Sequence, residues 1–380
     1  MPPPPLRRLS ASSRQRVSQR QMVLRVCGGA SVLRAIRVSQ PVIATLDGFE
    51  LPAGAWESAV LPNRVEGYEP SMLDTLCLTG EVGWSRVSPN IEDGPVPRLG
   101  GSTPIALFLR EHADPWHTLR VDRDDAIATI ESRLSPDARH LLETLRTRGA
   151  SFLAATADAA SQSVVGELAA AGLATSDGFA GLRRCIRPSS DSRFSAGDRG
   201  SPAGRWSAIA FDASPTARER AVETQAWGLL RRYGVVFRRV LARETNAAPW
   251  RELTRVYRRL EARGEIRGGR FVSGMSGEQF ALPDAVERLR EVRRSASNGR
   301  VLVVSAVDPL NLTGIVTAGE RVRAIASSRV AYRDGVPLAT MEGDYLRPLS
   351  EFDVESRGAV ATALAGRRVP AVAEGYVGRL

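Results

Sequence analysis

Arg251, Arg255, Arg258, Arg259, Arg267 and Arg270 gather permanent cations on one short stretch of the chain. A guanidinium stays charged at every working pH and presents a planar fork of donors that matches phosphate oxygens. The chemistry of this set is therefore the gripping of a phosphate backbone rather than the making or breaking of bonds. Such binding runs on counterion release, depends on salt, and positions a protein without reading sequence. The surrounding stretch Thr216 to Gly299 holds 18 arginines against 10 carboxylates, a net +8 of the +10 carried by all 380 residues. The competing reading is a solvated helix face whose arginines pair with Glu252, Glu261 and Glu265.

The elements that must hold these arginines have the order of a winged helix. Trp227, Leu229, Leu230 and Tyr233 recur at helical spacing before Gly234, and Val235, Val236 and Phe237 form a short β-prone run. A second helix is predicted from near Pro249, with Leu253, Val256, Tyr257 and Leu260 as its apolar stripe and Gly264 closing it. Its opposite face carries Arg251, Arg255, Arg258 and Arg259, as a recognition helix would. Arg267 and Arg270 flank Gly268-Gly269, read as the turn of a hairpin that would be the wing.

Composition excludes several chemistries. All 52 basic residues are arginine, so neither a Walker A motor nor a Schiff-base lysine can be built from these residues. Cys27, Cys77 and Cys185 form no CxxC pair, and His112, His117 and His140 lack zinc-ligand spacing with them. No metal, cofactor or disulfide framework is expected, and a reducing cytoplasm fits. No run of 18 apolar residues suggests a membrane span.

Along the chain, residues 1–40 contain eight arginines, no acid and a Pro2 to Pro5 run, and read as a disordered basic arm. The same composition also fits a transit peptide or a misplaced start codon. A faint repeat organises the rest. Leu141 to Leu182 has the layout of the later unit, with Gly149-Ala-Ser-Phe152 answering Gly234-Val-Val-Phe237 and Gly172-Leu-Ala answering Gly264-Glu-Ile. Asp177-Gly178 reads as its hairpin turn. This earlier unit is acidic to neutral on its recognition-like helix and is expected to serve packing. Ser71 to Val87 is a third half-repeat of helix, Gly80 and strand. After Gly299 a period-two pattern in VLVVSAVD, GIVTAG and RVRAIASSRVAYRDGVPLATM, with turns at Gly319 and Asp334-Gly335, predicts a small β-barrel. The expected class is α+β, tandem winged-helix domains followed by a small C-terminal β-barrel. Its divisions are 1–40 (arm), 41–130 (partial winged-helix-like packing module), 131–187 (winged helix), 188–204 (Ser/Gly/Pro-rich linker), 205–299 (basic winged helix) and 300–380 (barrel).

The blocks LPNRVEGYEPSMLDTLCLTGEVGW, GRW at Gly204 to Trp206, LLRRYGVVFRRVLARE, RRLEARGEIRGGRFVSGMSGEQFALP and SAVDPLNLTGI together resemble the C-terminal region of large helicase-related (Lhr) proteins, over about Leu51 to Leu346. The resemblance implies tandem winged helices and a β-barrel similar to AlkZ-type DNA glycosylases, in a bacterial family where a helicase motor precedes this region. It implies DNA repair, including uracil-DNA glycosylase activity, with single-stranded or forked DNA as partner, a helicase motor as second partner, and homo-oligomers. A monofunctional glycosylase extrudes its nucleotide and uses a carboxylate to orient water. That requirement selects Asp308, with Asn311 beside it, over Glu342 and Asp344; the other reading of Asp-Pro-x-Asn is a loop turn without catalysis. The sequence departs from the family where the suggested catalytic aspartate lies near the chain end: no Asp follows Asp353, and only Glu355 and Glu374 remain there. The Gln-x-Gln pair of AlkZ-like barrels is also missing from the barrel segment. The alternative function is a non-catalytic platform that binds nucleic acid and assembles around a helicase motor.

Overall fold

The computed structural model describes residues 40–88, 94–120, 126–152, 159–186, 204–297, 299–317, 319–351 and 354–365. Nearly all of the expected basic arm and of the 188–204 linker lie outside the described residues.

Twice the chain lays down a helix, a strand, a second helix and two more strands, and between these two units lies one that varies the order. The first unit runs through helical residues 40–46, β1 (Glu50–Pro52), a π-turn at Trp56–Val60, α1 (Pro70–Leu78), β2 (Val82–Ser85) and β3 (Pro104–Leu109). Two helices, α2 (Ala113–Leu119) and α3 (Ala126–Ser132), lead to the second unit. This comprises α4 (Pro136–Arg148), α5 (Ala159–Ala171), β4 (Ala174–Ser176), α6 (Phe179–Ile186) and β5 (Trp206–Ala208). The third comprises α7 (Pro215–Tyr233), β6 (Val235–Phe237), a 3-10 segment Arg238–Arg243, α8 (Trp250–Ala262), β7 (Arg267–Gly269) and β8 (Gln279–Ala281), followed by α9 (Pro283–Arg294).

The first and third sheets have the same strand order, β1-β3-β2 and β6-β8-β7, with the last strand central and antiparallel to both neighbours. In the second unit β5 pairs with β4, and Ser151 bridges to Trp206 where a first strand would lie. Matching chemistry starts the leading helices of the second and third units. Ser135 and Ser214 accept from the backbone N–H of Ala138 and Ala217, each is followed by proline at the first helical position, and Gly149 and Gly234 close the helices at φ 74° and 72°.

Several expectations change here. The first unit is no half-repeat, because β1 and β3 complete its sheet. Asp177-Gly178 opens α6 rather than turning a hairpin, and β4 finds its partner only after the linker, at Trp206. A boundary at Gly204 therefore cuts through this strand pairing. Trp206 is fully buried, edge-on to Trp84 at 5.7 Å, which ties β5 to the first unit as well.

The first unit is the keystone. Its central strand β3 reads PIALFL without a polar residue because both its faces are covered: Ile105 and Leu107 join the core shared with the second unit, Ala106 and Phe108 the core shared with the third. Buried Asp47 fixes the junction with the third unit. It accepts from Leu109 N and Trp116 Nε1 through Oδ1, lies 2.6 Å from His112 Nδ1, and its carbonyl accepts from Arg232 Nη2 at 2.6 Å. Gly48, at φ 73°, lies so close to the Trp116 ring that a Cβ would sit 2.1 Å from it, so only glycine fits. Arg120 donates to the carbonyls of Ala171 and Gly172, closing the end of α5 against the first unit.

The C-terminal module is a four-stranded antiparallel meander, β9 (Val301–Ser305), β10 (Arg329–Arg333), β11 (Val336–Glu342) and β12 (Tyr345–Pro348), with α10 (Val354–Ala365) packed on it. Asp334-Gly335 turns the β10-β11 hairpin with both residues at positive φ, as expected. The sheet is open among the described residues: β9 pairs only with β10 and β12 only with β11. The expected strand at GIVTAG is instead a pair of turns, in which Ile315 and Val316 donate back to Leu312 O and a Cβ on Gly314 would strike the backbone of Arg321. The architecture is α+β.

Candidate nucleic-acid interface

The third unit positions the arginines through a strongly amphipathic α8. Leu253, Val256, Tyr257 and Leu260 are buried; Tyr257 stacks on Phe280 of β8 with ring centroids 5.0 Å apart and donates its hydroxyl to Ala226 O of α7. Pro249 precedes the helix, and Gly264 at φ 75° ends it, with its N–H on Glu261 O and that of Glu265 on Leu260 O. Burial of that stripe leaves the other side to solvent, and Arg251, Arg255, Arg258, Arg259, Arg267 and Arg270 are all exposed.

Their partners divide them. Arg258 is held by Glu278 through two hydrogen bonds of 3.0 and 2.9 Å, and Arg259 by Glu223 at 3.2 Å. Arg251, Arg255, Arg267 and Arg270 make no ion pair or side-chain hydrogen bond among the described residues. The carboxylates suggested as neutralising partners are otherwise engaged. Glu252 pairs with Arg218, Glu261 accepts from Gly268 N, and Glu265 holds Arg263 beyond the helix end. Exposed pairs of this kind contribute at most about 1 kcal/mol, so Arg258 and Arg259 are restrained only weakly.

The wing is built differently from its expected form. Gly268-Gly269 lies within β7, in register with Phe280 and Gln279, and the turn is the following stretch from Arg270 to Glu278. A Cβ at 268 would lie 2.3 Å from the carboxylate of Glu261, the exposed end of a flexible side chain, which would have to move and give up its bond from Gly268 N. Gln279 pins the wing. Fully buried, it accepts from Phe271 N and Val272 N at 2.8 Å each and donates to Val272 O and Met275 O.

Between the wing and the 3-10 segment lies a cleft of about 520 Å³ lined by Arg238, Arg239, Trp250, Met275 and Glu278 among others. Arg238 and Trp250 lie outside the set of residues expected from the sequence. Their signal was available in the FRR run that follows the short strand and in a tryptophan at the first turn of the arginine helix.

Asp308 and Asn311 occupy a different place. Asp308 follows the end of β9, buried, and its two oxygens meet Arg64 of the first unit at 2.7 and 2.5 Å; Oδ1 also accepts from Leu310 N. Arg243 of the third unit donates to the carbonyls of Val307 and Asp308. Asn311 donates to Ala306 O and accepts from Thr313 N and Tyr332 OH. The turn geometry of Asp-Pro-x-Asn is thus present, and it fastens the C-terminal module to two other units. The arginine set lies on the third unit's helix and wing, apart from this joint. Among the described residues no His, Cys, Asp and Glu group could hold a metal ion, and no helix is long and apolar enough to cross a membrane.

Residues 215–301 match the model of the fourth winged-helix domain of large helicase-related protein, and residues 12–99 that of the third. The chain is 31% identical over 303 residues to the Lhr helicase/uracil glycosylase of Escherichia coli (strain K12), covering 72% of this chain and 19% of that protein. It is 32% identical over 310 residues to the Lhr helicase/ probable uracil glycosylase of Mycolicibacterium smegmatis, with the same shares. It thus spans about a fifth of the length of these relatives. With two of the family's winged-helix domains matched in order, and the arginine helix inside one of them, the chain belongs to the large helicase-related (Lhr) family and corresponds to its C-terminal region.

Proposed function

We propose that this chain grips DNA, single-stranded or forked, through α8 and the wing of its third unit, as the binding module of an Lhr-type repair helicase in the bacterial cytoplasm. The observation that carries the reading is the set of unpaired arginines, Arg251 and Arg255 on the helix and Arg267 and Arg270 on the wing, exposed on the side of α8 and the wing away from the buried stripe Leu253, Val256, Tyr257 and Leu260. Phosphate contacts of this kind hold register without reading bases. In Arg251→Ala with Arg255→Ala, binding to a labelled oligonucleotide should weaken about tenfold or more at low salt, and the slope of log K against log salt should fall by roughly one per lost contact. Unchanged affinity and slope would remove α8 from the interface.

A second reading, excision of uracil, is favoured by the names of both relatives. Its candidate carboxylate Asp308 is committed to Arg64, which speaks for the binding platform over catalysis at that residue. Base release from a uracil-containing single strand by the wild-type chain, abolished in a folded Asp308→Asn variant, is the result that would restore Asp308 as a catalytic group. Release that survives this change would place the chemistry elsewhere, and binding without release leaves the platform.

A further inference from the structure

Resting on the reading of the third unit as a DNA-gripping surface, we infer that the cleft between the 3-10 segment and the wing receives one unpaired nucleobase of a single strand. The cleft is half-open, with a volume of about 520 Å³, room enough for a single planar base. The wall is Trp250, half-buried at the start of α8. Tyr257 and Phe280 hold its ring from one side at centroid distances of 6.2 and 6.4 Å, tilted by 50° and 49°. Two aromatic neighbours thus restrain the indole, Trp250 is among the residues lining the cleft, and its Nε1 makes no hydrogen bond among the described residues.

Cations flank this platform. Arg238 is exposed with no partner among the described residues, and Arg239 gives one nitrogen to Gly314 O. Arg238 and Arg239 line the cleft together with Trp250, so a strand laid across it would bring phosphates to these two guanidinium groups, while Glu278, the carboxylate of the lining, is engaged by Arg258. The opposite lip carries Gly274 and Gly277, where a Cβ would meet nothing within 4 Å, and the buried Gln279 holds that lip in position. A rigid aromatic beside a cationic track is the combination that binds single strands with little sequence preference. A base in a duplex is stacked on both faces and paired at its edge, so entry requires an unpaired one. The cleft thereby makes the grip selective for single strands, which the arginines alone are not.

The test uses the full chain with an oligothymidylate and a duplex of equal length at matched salt, together with single strands carrying one 2-aminopurine at successive positions. Trp250→Leu is expected to lose roughly tenfold in single-strand affinity and to leave duplex affinity unchanged. Quenching of 2-aminopurine by the wild-type protein is expected at a restricted position and absent with the variant. Equal losses on single strand and duplex, or wild-type complexes in which no position is quenched, would overturn the inference while leaving the arginine grip intact. No salt-sensitive binding to either nucleic acid would instead overturn the underlying reading. The quenching experiment needs no substitution, so an unfolded Trp250→Leu would not protect the idea.

Discussion

His117 is buried against Phe108 and Phe211, with Nε2 3.0 Å from Ser85 Oγ. Burial, and then the charge of Arg120, lowers its pKa from 6.5 to about 3. A histidine held neutral in the fold gives stability that is complete above its unfolded pKa and drains as pH falls from about 6.5 toward 3, because the unfolded chain takes up the proton first. Between pH 7.5 and 5 the wild-type urea midpoint should decline by an amount worth about 2 kcal/mol, and His117→Gln should flatten that decline. Parallel pH profiles would show that His117 does not govern acid sensitivity. The pair Arg64–Asp308 makes a second residue-scale case. Breaking a buried ion pair leaves one charge without its partner, so Arg64→Ala or Asp308→Asn alone should cost about 3 kcal/mol or more, and the double variant less than their sum. Additive losses by urea denaturation would mean that the two side chains are not coupled. Asp308 also shows why a catalytic carboxylate could not be told from a structural one in the sequence: the residue that decides its role is Arg64, 244 positions away.

The arginine helix α8 was legible because its apolar stripe repeats at helical spacing and glycine closes it, both local properties of the chain. Its wing was legible only in outline. Gly268-Gly269 has turn chemistry, but its pairing with Phe280 and Gln279 of β8 makes it a strand, and nothing in the dipeptide announces that pairing. Short strands suffered most. Three-residue strands such as β1 and β5 contain too little pattern to declare themselves, and β3, buried on both faces, shows none of the alternation by which a half-exposed strand is recognised. Gln279 is the element-scale pivot of the wing. Gln279→Leu strips four hydrogen bonds from the loop and leaves the half-buried amides of Phe271 and Val272 unmet. Hydrogen exchange should then quicken selectively between 270 and 278, with a loss of about 2 kcal/mol or more and weaker DNA binding. Unchanged exchange in that loop would show that the wing is held by other contacts.

Across the whole molecule, the first unit shares one core with the second and another with the third, and the C-terminal module is clasped to the first by Arg64 and to the third by Arg243, Arg239 and Arg321, the last donating to Ala242 O. Arg64→Ala combined with Arg243→Ala should therefore release the C-terminal module as a separately melting part, turning one calorimetric transition into two. A single transition at lower temperature would mean that apolar contacts such as those of Val307 in the core shared by the first and second units suffice to keep it docked. The sequence by itself determined the cationic balance, the absence of lysine chemistry, the arginine helix, the order of the repeated units and the family resemblance, since each rests on residue type or on short-range spacing. Tertiary structure alone decided that the supposed half-repeat is the central unit, that Trp206 closes the sheet begun before the linker, that some arginines are free while others are held, and that Asp308 is a clasp. Those properties depend on which distant side chains meet, and pairwise contacts across hundreds of residues leave no periodic trace in a single chain.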